Sequence, residues 1–523
     1  MSINEKLSEL VNALPEFYQP IYAHSEWDDK PLRNCKDRLP VIEKIYDDLS
    51  GELKRPLRVL DLGCAQGFFS LSLAKRGAIV TGLDISEQNI RLCKFLASEH
   101  LGIKTDFVCG RIEEFLSTVK VGEYDLVLCL SVLHNISKYL GVKKIQDMMT
   151  DLSRKVAVGI FEFALERVHA AYIPADYRDF LPGFSFIKEL SASDHRNGSG
   201  VKRPICFASD KYTWFENFGV LKTDKISYNV HPYLAKTDLI HFHCGNKFIK
   251  FFYIKAQGQL RKAQQEIQFL KDFGGKRGLP KLLATYIEQD QNGIRAFIIR
   301  DRLDGVTLSE KISGGEKIDR WDVLKQALEW MVFFEQRGYY HGDIQTSNFI
   351  YGTDGKLYPI DYEEIRREPI VLIWPYKVNL LFLIFMNAVL DLHRPERATF
   401  HRKVYLLTKL KKHLTQKQFE QISAIEESEK FFARLYEILF GSESSESKKA
   451  VYNLRDSELL AQGKFLDDVS NCLKELQTAL AQTNDNTAKF DKYMNNIAQI
   501  FTAQQQRLDR LEKIVREMTH DRT

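Results

Sequence analysis

The sequence lacks most of the features that place a chain quickly. None of its eight cysteines forms a Cys-x-x-Cys pair or clusters with histidine at metal-ligand spacing. That excludes a disulfide framework and a structural zinc, and it points to a reducing compartment. No charge of one sign dominates: 74 Lys and Arg stand against 70 Asp and Glu, a net +4, too little to drive nucleic-acid binding by charge alone. The one long apolar run, 370–390, is broken by Pro375, Lys377, Asn379 and Asn387, so it reads as a buried helix rather than a bilayer span. The start, Met1-Ser-Ile-Asn-Glu-Lys, is charged where a secretory signal is apolar. What remains is an ordinary folded composition, 44% apolar and 28% charged over 523 residues, a length for about three modules.

Along the chain, aromatic-rich helices to about residue 50 precede alternating strands and helices to about 165, the pattern of a parallel α/β sheet. A turn-rich stretch follows, including 196–200. A second module opens with strands near 239–243, 248–253 and 296–300 and becomes mostly helical after Trp321. The polar run 441–449 reads as a linker. The expected divisions are 1–210, 211–440, a linker over 441–460 and a helical rod over 461–523.

Arg58-Val-Leu-Asp-Leu-Gly-Cys-Ala-Gln-Gly67 is an apolar strand entering a loop with glycines at 63 and 67, then a helix from Phe68. Asp61 precedes the loop. Asp84 ends the next strand, where an acid can accept both ribose hydroxyls of an adenosine. A third strand ends at Gly110-Arg-Ile-Glu113, beside an adenine, and a fourth, carrying Asp125, ends at Leu130 and leads to His134. The phosphate-binding Gly-x-Gly-x-x-Gly is absent. The set resembles the class I S-adenosylmethionine-dependent methyltransferases, with a Rossmann-like fold. The resemblance implies cofactor contacts from Tyr18, Arg38, Asp61, Gly63, Gly67, Asp84, Asn89, Arg111, Ile112, Glu113 and Leu130. Tyr18, Tyr22 and Trp27 form either an apolar face on the sheet or a lid over the cofactor. His24, Arg38 and His134 are the candidate acceptor contacts, with His134 a base or an anion holder.

Tyr340-His-Gly-Asp-Ile-Gln-Thr-Ser-Asn348, followed by Tyr358-Pro-Ile-Asp361-Tyr-Glu, has the Asp, Asn and Asp spacing of protein-kinase-like folds. There Asp343 accepts the proton of an attacking hydroxyl, and Asn348 and Asp361 hold Mg²⁺ on the nucleotide phosphates. Lys250, on a strand, and Glu266, on a helix, form the expected phosphate-holding pair. Asp301 and Leu303 flank the expected adenine hinge for ATP. His-Gly-Asp and Asp-Tyr-Glu resemble small-molecule kinases more than protein kinases. No glycine-rich loop precedes Lys250, so 231–242, with Lys236, must cover the phosphates.

From Leu466 to Met518 apolar residues recur every 3 and 4 positions, the period of a left-handed coiled coil of roughly 80 Å. This combination resembles the bifunctional kinase–methyltransferases that terminate polymannose O-antigen chains in Gram-negative bacteria. The likeness is closest in 57–74, Pro15-Glu-Phe-Tyr18 and Trp27-Asp28, and it extends through Gly110-Arg-Ile-Glu-Glu114 to Lys250-Phe-Phe252 and Asp343, Asn348 and Asp361. It implies phosphorylation of the 3-hydroxyl of a terminal mannose on an undecaprenol-linked glycan, then methylation of that phosphate. It also implies a trimer whose rod sets chain length and recruits the mannosyltransferase polymerase. Such a protein is cytoplasmic, peripheral on the inner face of the inner membrane, with no nucleic-acid partner.

Overall fold

The computed structural model describes residues 3–100, 102–166, 169–194, 202–228, 239–255, 257–290, 293–315, 317–367, 378–391, 410–425 and 430–441. Four expectations lie outside them: the rod over 461–523, all of the 441–460 linker but its first residue, Lys236, and the turns at 196–200.

Seven strands make a mainly parallel sheet whose centre is buried on both faces. They are β1 (Arg58–Leu62), β2 (Ile79–Asp84), β3 (Lys104–Cys109), β4 (Leu126–Leu130), β5 (Val158–Glu162), β6 (Phe186–Asp194) and β7 (Lys202–Ser209). Their order is β3-β2-β1-β4-β5-β7-β6. Strands β1 to β5 are parallel, and β7 runs antiparallel to β5 and β6. The order reverses between β1 and β4, so ligands belong at the carboxyl ends of these strands. Around the sheet lie α1 (Ile3–Asn12), α2 (Leu39–Leu53), α3 (Phe68–Lys75), α4 (Glu87–Ser98), α5 (Ile112–Thr118), α6 (Leu133–Leu140) and α7 (Val142–Lys155). Asp125, at the opposite edge, clamps Arg55 (2.8 Å) and Arg58 (2.8 Å). Despite its burial, these arginines hold its carboxyl well below the usual range. It closes the bottom of the sheet and lies far from the ligand edge.

A hairpin, β8 (Tyr212–Phe215) and β9 (Gly219–Lys222), leads to a five-stranded antiparallel sheet. Its strands are β10 (Lys225–Tyr228), β11 (Leu239–Cys244), β12 (Lys247–Ile254), β13 (Leu282–Asp290) and β14 (Gly293–Asp301), in the order β10-β11-β12-β14-β13. Helix α8 (Gln257–Phe273) joins β12 to β13. A helical lobe follows, with α9 (Leu308–Ser313), α10 (Arg320–Glu335) and α11 (Val378–Asp391). Short strands run through this lobe, β15 (Gly305–Thr307) before residue 321 and, within the stretch read as mostly helical, β16 (Tyr340–His341), β17 (Phe349–Gly352), β18 (Leu357–Pro359) and β19 (Ile365–Arg366). They are two to four residues long, too short for a period-2 pattern to register. Helix α11 takes up the described part of the apolar run, from Val378, and among the described residues no helix is long and apolar enough to cross a membrane.

The two sheets share one core. Phe186 of β6 meets Phe207, Phe215, Phe242 and Phe297 at centroid distances of 5.5–5.8 Å. These rings belong to a buried cluster running from Ile42 and Leu49 to Ile249 and Ile299. Polar contacts cross the same junction. Arg295 of β14 donates to the Ile187 carbonyl of β6, and Lys188 lies 3.0 Å from Glu216 and 3.7 Å from Glu288.

Candidate active sites

At the carboxyl edge of the first sheet, Gly63 and Gly67 take left-handed backbone angles (φ +75° and +77°). A Cβ on Gly63 would meet Val132 Cγ2 at 2.6 Å, and one on Gly67 would meet Cys93 Sγ at 2.8 Å. Only glycine takes these angles in so close a turn, and the turn is tied down by its own amides, Gly63 and Cys64 donating to the Leu83 carbonyl (2.8 and 3.0 Å) and Gly67 to that of Cys64 (2.9 Å). Asp84 accepts from the amides of Ala65 (2.9 Å) and Ser86 (2.8 Å) and from Asn89 Nδ2 (3.2 Å). This cradle fits an uncharged ribose beside a loop that need not hold phosphate. Ile112 and the exposed Ile85 offer apolar surface next to it. Arg111 and Glu113 pair with each other at 2.6 Å on the outer rim, and Leu130 closes the floor at the end of β4.

Asp61 lies at the end of β1, beneath the loop. Its buried carboxyl accepts from Ser70 Oγ (2.6 Å) and is pushed up to about 6, chiefly by burial, with the charge of Asp84 acting in the same direction. It ties β1 to α3 next to the cradle.

The N-terminal segment is a cover docked on the glycine loop. Gln66 Oε1 accepts from the amides of Tyr18 (3.2 Å) and Gln19 (2.8 Å), while its Nε2 donates to Asn89 Oδ1 (2.7 Å). Gln19 Oε1 accepts from the Phe68 amide (3.1 Å). Further along, Arg38 is buried, donating to Glu162 (3.0 Å) and Cys35 Sγ (2.7 Å). Its guanidinium is held by a carboxylate of the fold, while its Nε has no hydrogen-bond partner among the described residues. His24 lies elsewhere, which corrects its expected place among the acceptor contacts. It bridges Glu26 (3.0 Å) and Glu99 (3.0 Å), and Glu99 caps the far end of α4, about 18 Å along the helix from the cradle. Burial works against the His24 cation, yet its bonds to Glu99 and Glu26 outweigh that and raise it above the usual imidazole range. His134 does lie at the ligand edge, buried at the start of α6, with its ring 4.2 Å from that of His169.

In the second module Lys250 of β12 reaches Glu266 of α8 (2.9 Å), Asp361 (3.0 Å) and Glu363 (2.8 Å). Burial alone would depress the ammonium, but the three carboxylates outweigh it and hold Lys250 above its ordinary range. Asp361 takes a left-handed backbone (φ +65°). Burial raises its carboxyl, and Lys250 more than reverses this. Asn348 Nδ2 donates to Asp343 at both the carbonyl (2.9 Å) and Oδ2 (2.8 Å), and Gln345 donates to Oδ1. With its nitrogen fixed on Asp343, Asn348 presents its amide oxygen the other way, an arrangement that fits a hard cation beside Asp361. His341 supports the loop from below, accepting from the Asp343 amide (3.2 Å) and bonding the Ile360 carbonyl (3.0 Å). Asp301 and Leu303 leave the end of β14 as a strand-to-lobe connection, its backbone tied at Lys281 and Asn246.

Residues 53–155 match the family model described as a methyltransferase domain. The chain is 31% identical over 406 residues to the Escherichia coli O-antigen chain terminator bifunctional methyltransferase/kinase WbdD, covering 74% of this chain. A high-resolution crystal structure of WbdD is 30% identical, covers 78% of this chain and 94% of that one, with a TM-score of 0.61. The chain belongs to the WbdD family. A lower-resolution WbdD structure with an ordered C-terminal bundle covers 91% of the chain with a TM-score of 0.71 and 27% identity. The chain spans 56% of the length of the curated WbdD sequence.

Within this WbdD-family chain, the structure adds residues that sequence reading passed over. Gln19 and Gln66 dock the cover, Glu363 is a third carboxylate on Lys250, and Arg33, Ser131, Glu162, Ser193 and Arg203 form a buried cluster beside the cradle. Glu162 carried the clearest signal: a charge at the carboxyl end of the otherwise apolar strand Val158-Gly-Ile-Phe-Glu162.

Proposed function

We propose that the chain is a dual transferase that ends growth of a polymannose-type O-antigen, first phosphorylating the terminal sugar and then methylating that phosphate. The observation that carries this reading is two constellations on one continuous core: Lys250, Glu266 and Asp361 beside Asp343 and Asn348, and the glycine loop with Asp84. In the kinase module Lys250, held by Glu266, binds nucleotide phosphate, and the backbone of 301–303 receives the adenine of ATP. Asp343 takes the proton from the attacking sugar hydroxyl, a poor nucleophile at neutral pH. Asn348 and Asp361 would hold Mg²⁺, which neutralises charge on the transferred phosphoryl group. In the methyltransferase module Asp84 orients the ribose and the cover over 16–19 excludes water. Bound S-adenosylmethionine supplies an electrophilic methyl group. A phosphate acceptor is already an oxyanion, so this half-reaction needs positioning rather than a base.

The finer reading follows the family: the 3-hydroxyl of the terminal mannose as acceptor, a trimer, a C-terminal rod that measures chain length and recruits the mannosyltransferase polymerase, and attachment to the inner face of the membrane. Incubation with labelled ATP, S-adenosylmethionine and a short α-mannoside tests the core of it. Methyl incorporation is expected only with ATP present, and ATP-independent incorporation refutes the order. A rod deletion that leaves glycan length in cells unchanged refutes the measuring role.

A further inference from the structure

Between the cover and the acceptor half of the sheet lies a polar cluster that the cofactor cradle does not use. Its parts come from four places on one edge. Ser131 follows β4, Glu162 ends β5, and Ser193 near the end of β6 pairs in register with Arg203 near the start of β7. Arg33 reaches in from the cover. All five are buried. Glu162 accepts from Arg33 through both oxygens (3.0 and 3.0 Å) and from Arg38 (3.0 Å), and Ser131 and Ser193 donate to it. Arg203 Nε donates to Glu166 (2.6 Å).

The decisive feature is Ser131 Oγ. Arg33 Nη1 (3.2 Å) and Arg203 Nη1 (2.8 Å) converge on this single oxygen. Two buried guanidinium groups aimed at one neutral oxygen have more to give to an anion, which adds Coulomb attraction between opposite charges in a buried setting and accepts from the planar fork in bidentate fashion. The serine itself sits at φ +59°, a backbone angle that costs energy in a non-glycine residue and clusters at ligand sites. Tyr18 Oη, 3.4 Å from Arg33, brings the cover into the same contact. The position is the carboxyl end of β4, one strand over from the glycine loop, where a methyl acceptor meets a cofactor held on β1 and β2.

We propose that Arg33 and Arg203 receive the phosphate monoester of the methyl acceptor, with Glu162 as the positioning residue that aims Arg33. This assignment rests on the dual-transferase reading and deepens it, because it places selection of phosphorylated over unphosphorylated ends in these two side chains. A phosphate oxygen takes the place of Ser131 Oγ as acceptor for both guanidinium groups, which leaves another oxygen of the dianion facing the methyl donor. That oxygen forms the new O–CH₃ bond as the S–CH₃ bond breaks and its electron pair stays on sulfur. The phosphate passes from dianion to monoanion, and no proton moves.

The test uses the full chain, S-adenosylhomocysteine calorimetry for cofactor affinity, and an oligomannoside bearing a terminal 3-phosphate as acceptor. Arg33→Met and Arg203→Met keep an unbranched stem to fill the space. In each, KM for the phosphorylated acceptor is expected to rise by about tenfold to a hundredfold. In Arg203→Met, which leaves the Arg33–Glu162 latch of the cover in place, S-adenosylhomocysteine affinity stays within about twofold of wild type, and the kinase rate of both variants is unaltered. Arg203→Lys recovers part of the loss, because it returns the charge without the fork. An unchanged acceptor KM overturns the assignment. So does a parallel loss of S-adenosylhomocysteine affinity in Arg203→Met, which gives the pair to the cofactor's carboxylate instead. Wild-type protein that phosphorylates the mannoside but never methylates the phosphorylated form refutes the dual-transferase reading itself, whatever the arginine variants do.

Discussion

Glu162→Gln removes the one carboxylate that holds both Arg33 and Arg38. Burial pushes the Glu162 carboxyl up, but Arg38 and Arg33, with hydrogen bonds from Ser131 and Ser193, outweigh that and hold it at about 2 against an ordinary 4.5. A depression of that size corresponds to about 3 kcal/mol of folded-state stabilisation. An independent route gives a similar figure, since breaking a buried ion pair by deleting one partner costs about 3–5 kcal/mol. The sign is that of a carboxyl lowered on folding: the contribution is complete above the ordinary 4.5 and fades as pH falls towards 2. The assay is urea unfolding of wild type and variant between pH 3 and 7, taken as a difference so that other carboxylates, Asp125 included, cancel. The gap should be widest at neutral pH and narrow below pH 4.5. Hydrogen exchange over residues 16–38 at pH 7 should rise in the variant, because the cover loses its latch. A pH-independent gap, or a stability loss with unchanged protection of the cover, would refute the latch.

Four further outcomes follow from the same geometry. Asp343→Asn should lower sugar phosphorylation by about 10²- to 10⁴-fold while methyl transfer to a pre-phosphorylated acceptor continues; loss of both would mean that Asp343 supports the fold rather than the chemistry. Phe297→Ala, in the core shared by both sheets, should cost about 3–5 kcal/mol, and thermal inactivation should remove both activities together; separate inactivation temperatures would show two independent domains. Gly67→Ala, with φ +77° and a Cβ 2.8 Å from Cys93 Sγ, should lose about 1–3 kcal/mol and weaken S-adenosylhomocysteine binding, and calorimetry with unchanged affinity would contradict the cradle. His24, raised above its ordinary range through Glu99 and Glu26, stabilises the cover at low pH. That contribution is lost as pH rises through the folded pKa, and it should vanish in His24→Ala when proteolysis of residues 13–38 is followed against pH.

Local chemistry explains what was legible before the fold was known. Glycine at a strand-to-helix turn, an acid at the end of the next strand, and an Asp and Asn held five residues apart each depend on neighbours in sequence. The loop at 63–67, Asp84 and the Asp343–Asn348 pair therefore announce themselves. His24 was placed less well, and the partners of Arg38 and Asp61 were not legible, because proximity to a motif says nothing about which way a side chain turns. Arg38 turned to Glu162, 124 residues away in sequence. Asp61 turned down to Ser70, and His24 turned outward to the end of α4.

Alone, the sequence determined the family's two catalytic signatures and their order along the chain, since apolar periodicity and short-range spacing are properties of local segments. Tertiary structure decided what those signatures rest on. Phe186, Phe215, Phe242 and Phe297 merge two sheets into one core, and no linear pattern records which apolar faces will meet. Ser131 Oγ became a meeting point for Arg33 and Arg203, 98 and 72 residues distant in sequence, because strand pairing brings β4, β5, β6 and β7 to a common edge. Buried charge is satisfied only by partners in space, so the site's electrostatics belong to the fold.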